Sequence, residues 1–80
     1  MLLMTDSTDE SEGRYANCLK VGHNPIEFVL DFGQCFEGES RENFHTRIIT
    51  SPVYLKSFSK LLQEAVNEYE DAFGEIHEDA

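Results

Sequence analysis

The sequence predicts an α+β domain: a three-stranded antiparallel sheet, made of a hairpin plus a third strand, followed by one long amphipathic C-terminal helix. Three observations lead there. Two runs of period-two alternation flank the dense turn signal Gly22-His23-Asn24-Pro25. A third alternating run ends in Thr50-Ser51-Pro52, a helix-start signal. Beyond it, apolar residues recur at steps of three and four as far as Gly74.

The first strand is RYANCLKV, Arg14 to Val21, and the second is IEFVLDF, Ile26 to Phe32. Closing the hairpin over the residues between them pairs Val21 with Ile26, Leu19 with Phe28, Asn17 with Leu30 and Tyr15 with Phe32. That face is apolar except for Asn17 and is the expected seat of the helix. An amide there must find hydrogen bonds, from Tyr15, Thr46 or the helix, or sit at the open end of the sheet. On the other face Lys20 meets Glu27, Cys18 meets Val29 and Ala16 meets Asp31. An opposite-charge cross-strand pair supports this register.

Gly33 to Asn43, GQCFEGESREN, reads as a mobile loop of about eleven residues, near the upper end for a compact domain. The third strand, FHTRIIT, runs from Phe44 to Thr50. It places Phe44, Thr46 and Ile48 under the helix and His45, Arg47 and Ile49 opposite, with Arg47 positioned to pair with Asp31.

In the helix, Ser51 caps the N-terminus and Pro52 takes the first position, where its missing N–H costs nothing. Leu55, Phe58, Leu62, Val66, Tyr69 and Phe73 form one stripe with their apolar neighbours. Gly74 is the natural left-handed C′ residue. Roughly 22 helical residues span about 33 Å, whereas a seven-residue strand covers about 23 Å. The helix should therefore overrun its sheet and leave Tyr69 and Phe73 without intrachain partners. Lys56 and Lys60 lie in its first half, while Glu68, Glu70 and Asp71 crowd the end where the macrodipole disfavours anions.

Eighty residues bound the chain to one domain: a disordered acidic tail over 1–13, the βββα unit over 14–76 and a frayed acidic tail over 77–80. So short a chain is marginal alone and needs disulfides, metal or oligomerisation. Two cysteines make no disulfide framework and no CxxC pair, so a reducing cytoplasm is the easier fit. Self-association is what remains, and homodimerisation is expected to complete the fold. The outer sheet face, with Ala16, Cys18, Val29 and Ile49 among balanced charges, is too apolar for simple exposure and reads as an interface.

Six basic and sixteen acidic residues give a net charge of −10, with a pI near 4.4. That is the wrong sign for a nucleic-acid backbone. The MLLM opening is too short for a signal-peptide core, and no apolar run reaches membrane-spanning length. The expectation is a cytoplasmic protein with neither nucleic acid nor membrane as partner.

Cys18, His23, Cys35, His45 and His77 show no close-set ligand pairs, so no metal site is expected. A Cys35–His45 nucleophile would need a rigid setting that the loop does not provide. Glu27 and Asp31 lie about 13 Å apart along one strand face, too far for paired-carboxylate chemistry. No catalytic residue, metal or cofactor is therefore assigned, and the protein is not expected to be an enzyme. The candidate partner-binding residues are Cys18, Val29 and Ile49 on the outer face, and Tyr69 and Phe73 on the overrunning helix end. His23 and Asn24 in the turn join them, although capping the backbone is their simpler role.

The segments GRYAN, VGHNPIEFVLDFGQ, HTRIITSP and LLQEAVNEYEDAFGEI together resemble a family of small bacterial and archaeal proteins catalogued only as a domain of unknown function. The likeness covers about Gly13 to Ile76 and rests on YAN, VGHN, EF-x-LDFGQ, TSP and YE-x-x-FG. It implies no activity, cofactor or catalytic residue. In element order and acidity alone, the chain is also similar to the SecB-type export chaperones, acidic oligomers of antiparallel strands and a long helix. The functional expectation is a homo-oligomeric adaptor or regulatory module that binds itself or another protein. The alternative is a SecB-like holdase for unfolded or secreted polypeptides.

Overall fold

The computed structural model describes residues 12–38 and 42–78. The elements are β1 (Cys18–His23), β2 (Phe28–Cys35), β3 (Glu42–Thr50) and α1 (Pro52–Phe73). The strands form one antiparallel sheet in the order β1-β2-β3. This is the α+β architecture expected. Most of the acidic N-terminal segment, 1–11, and the last two residues lie outside the described set.

The hairpin closes later than expected, and Asn24 is the reason. Its Oδ1 accepts the N–H groups of Ile26 and Glu27, both at 2.9 Å. Its own N–H donates to the Glu27 carbonyl at 3.0 Å. The turn is thus Asn24 to Glu27, and Gly22 and His23 stay in the strand opposite Val29 and Phe28. Leu19 consequently meets Phe32 rather than Phe28, and Val21 meets Leu30 rather than Ile26. The slip is even-numbered, so the side chains of β1 and β2 keep their expected faces.

The other strand ends move as well. β2 continues to Cys35 and β3 begins at Glu42, so five of the eleven residues of the expected loop are strand. A register shift falls between Phe32 and Gly33: Phe32 opposes Thr46, but Gly33 opposes Phe44. His45 is the extra residue of a bulge. Gly33 is the one buried position among the described residues. A Cβ there would overlap the Asn43 carbonyl and lie 2.7 Å from the Phe44 Cα. The bulge also turns Phe44 over: it lines a hollow with Lys20, Asp31 and Arg47, not the underside of the helix.

Asn17 does not face Leu30 on the apolar side. It precedes β1, and its Nδ2 donates to the Cys35 carbonyl at 3.0 Å while its Oδ1 accepts the Cys35 N–H at 2.8 Å. The side chain stands in for a strand residue and extends the ladder by one rung. Nearby, residues 14 and 15 cross past β2 to β3. Arg14 Nη1 donates to the His45 carbonyl at 3.2 Å, and His45 Nε2 lies 3.0 Å from the Tyr15 carbonyl.

The helix has the expected bounds. Ser51 Oγ accepts the Tyr54 N–H at 3.2 Å. At the other end the Gly74 N–H donates to the Glu70 carbonyl at 2.9 Å. Gly74 has φ 101° and ψ 170°, an extended positive-φ conformation open to glycine rather than the left-handed turn expected. The Glu70 carboxylate closes this end by accepting the Ile76 N–H at 2.9 Å.

What the fold lacks is a closed core. Among the described residues no apolar side chain is buried. The helix and the inner sheet face enclose an open groove of about 420 Å³.

Candidate association surfaces

Three surfaces carry the residues singled out by the sequence. The first is the groove, walled by Leu55, Leu62 and Val66 of α1 and floored by Leu19, Val21 and Leu30 of the sheet. In a self-sufficient domain these would be core. Here Leu19 is 53% exposed, Val21 49% and Leu62 67%. Tyr69 and Phe73 continue the stripe toward the helix C-terminus, where Phe73 is 76% exposed. Their rings meet tilted by 46°, with centroids 5.0 Å apart. Sequence reasoning picked out these two aromatics but treated Leu19, Val21 and Leu62 as covered.

The second surface is the outer sheet face. Val29 sits opposite Ile49, half-buried beside an Ile49 that is 59% exposed. Asp31 lies between Lys20 and Arg47 in the paired strands. Arg47 holds it in a two-bond fork, Nε to Oδ1 at 2.8 Å and Nη2 to Oδ2 at 3.0 Å. The hydrogen bond from Arg47 lowers the Asp31 pKa below the ordinary carboxylate value. The same bond raises that of Arg47. The Arg47–Asp31 pairing was legible in the sequence, and Lys20 changes partner from Glu27 to Asp31 with the register.

The third surface is the bulged end of the sheet. Cys35 is the last residue of β2, not a loop residue, and a disulfide joins it to Cys18, with Cα atoms 5.9 Å apart. The sequence reading found in two cysteines no disulfide framework and no CxxC pair; the structure joins the two in a single bond. The pairing was hidden because Gly33-Gln34-Cys35 was read as loop. Continuing the alternation of β2 through it places Cys35 on the face of Cys18.

At the same end both ring nitrogens of His45 are occupied. A carbonyl can only accept, so Nε2 carries the proton toward Tyr15, and Nδ1 accepts from the Thr46 hydroxyl at 2.7 Å. His45 is thus engaged in holding the N-terminal segment, and Cys35 is bonded to Cys18. His23 packs against Phe28 with ring centroids 5.3 Å apart, and Asn24 is consumed in the turn. Among the described residues no group of three or more His, Cys, Asp or Glu side chains is placed to hold a metal ion. No helix among them is long and apolar enough to cross a membrane.

A family model described as "Protein of unknown function (DUF3467)" matches residues 4–78. No curated protein and no solved structure matches the chain.

Proposed function

The chain belongs to this DUF3467 family of proteins of unknown function, and from that premise we propose that it is a homo-oligomeric protein-interaction module, an adaptor or regulatory subunit without catalysis of its own. The observation that carries the reading is the missing core: no apolar side chain among the described residues is buried. Folding is driven chiefly by removing apolar surface from water, and this subunit removes too little by itself.

A second copy is the partner guaranteed to be present whenever the chain is.

Light scattering combined with circular dichroism over a dilution series tests this. The expected result is a dimer or higher oligomer whose helix signal fades as it dissociates. A monomer that keeps its full helix signal at low micromolar concentration overturns the proposal.

The open groove also favours a second reading, a holdase of the SecB kind that takes an apolar client segment. It predicts suppression of client aggregation and binding of a hydrophobic dye by the native protein. Failure of both removes it.

A further inference from the structure

Resting on the association reading, we propose that the surface through which two copies meet is the groove itself, with the α1 helices of the two subunits lying side by side and antiparallel. Two observations select this arrangement over the outer sheet face and over a parallel pair.

The first is the position of the exposed stripe. Leu55, Leu62 and Tyr69 are spaced by seven, and Val66 and Phe73 fill the intervening steps, which is the seam of a helix pair. Leu61 and Ala65, on the flank of the stripe away from the groove, are half-buried within the subunit. The seam therefore lies open beside the uncovered Leu19 and Val21 of β1. A second helix laid there covers both walls at once.

The second is charge. The row bordering the seam on its open side is Lys56, Gln63 and Glu70, again spaced by seven, and Gln63 lines the groove. In an antiparallel pair with the two-fold axis beside Gln63, Lys56 of one copy faces Glu70 of the other, and the reverse holds by symmetry. The two pairs lie about 21 Å apart along the helix. Glu70 uses one carboxylate oxygen to accept the Ile76 N–H, which leaves the other for the incoming ammonium. The helix carries no acidic residue in its first turn and no basic residue in its last, so no charged side chain of its own end turns offsets its macrodipole. An antiparallel neighbour does so, whereas a parallel one sets like ends together.

Charge reversal tests the arrangement. The dimer dissociation constant is measured by sedimentation equilibrium at low salt for the unaltered chain, Lys56→Glu, Glu70→Lys and the double variant. Each single reversal places like charges together at both symmetric positions and should weaken the dimer about ten-fold. The double variant swaps the pair and should return to within about two-fold of the original. High salt should shrink all the differences. Glu70→Lys improves the charge–dipole match within one helix but removes the bond to the Ile76 N–H, so an unchanged circular-dichroism helix signal is required of each variant before its constant is compared.

A dimer that ignores the single reversals, or a double variant no better than the singles, overturns this interface and leaves the association reading standing. A chain that stays monomeric in every variant overturns both.

Discussion

At the bulged end of the sheet the polar groups find partners within the chain, whereas along the groove several large apolar side chains stay exposed. The bulged end holds a disulfide, the Asn17 side chain bonded twice to Cys35, and the Arg14 and Tyr15 contacts to His45. The groove holds Leu19, Val21 and Leu62, each roughly half to two-thirds exposed. Hydrogen bonds and cross-links can be completed by a short chain because they need only two groups each. A hydrophobic core needs many side chains to close on one another at once, and here helix and sheet leave the groove between them open. The fold is thus closed where its interactions are pairwise and open where they are collective.

That contrast can be broken from the closed side. Gly33→Ala should do the most damage, since its Cβ meets the backbone of Asn43 and Phe44 rather than a movable side chain. The expected loss is about 3 kcal/mol or more, read by urea unfolding; a variant as stable as the parent would show that the bulge is slack. Reducing the Cys18–Cys35 bond should cost about 3 kcal/mol for a closed loop of this size. A thiol reductant should therefore lower the Tm of the parent and leave that of Cys18→Ser unmoved.

Asn17→Ala should cost about 1–2 kcal/mol, because the Cys35 N–H and C=O both lose their partner. Hydrogen exchange should accelerate at the Cys35 amide and not at the helix amides. Equal acceleration everywhere would mean that the two regions are not separable in the way described.

The smallest effect belongs to the Arg47–Asp31 fork. The Arg47 hydrogen bond depresses the folded Asp31 pKa below the ordinary carboxylate value of 3.8, so its contribution is present above that value and is lost as pH falls through the folded one. Asp31→Asn should therefore have a slightly lower Tm than the parent through the neutral range, and the two profiles should converge as pH falls below about 4. A difference that persists undiminished into acid would point to another group.

How much of this was legible in the sequence follows from what each feature depends on. The helix was readable to the residue because Ser51, Pro52 and Gly74 act locally. The hairpin register was not, because the Asn24 side chain competes with the backbone for the turn and moves it by two residues. The partition of the strand faces survived only because the resulting slip was even. The bulge was unreadable: what forbids a side chain at Gly33 is the approach of β3 from elsewhere in the sequence. Missing that strand extension hid the partner of Cys18 and misplaced Phe44. The exposure of Tyr69 and Phe73 followed from helix length alone, while that of Leu62 and Leu19 depended on how loosely helix and sheet meet.

The bond between Cys18 and Cys35 has a topological result as well. With the peptide backbone of β1, the turn and β2, it closes a covalent ring, and the Asn24–Glu27 turn is part of that ring. A chain nicked within the turn remains a single molecule until a reductant opens the second connection.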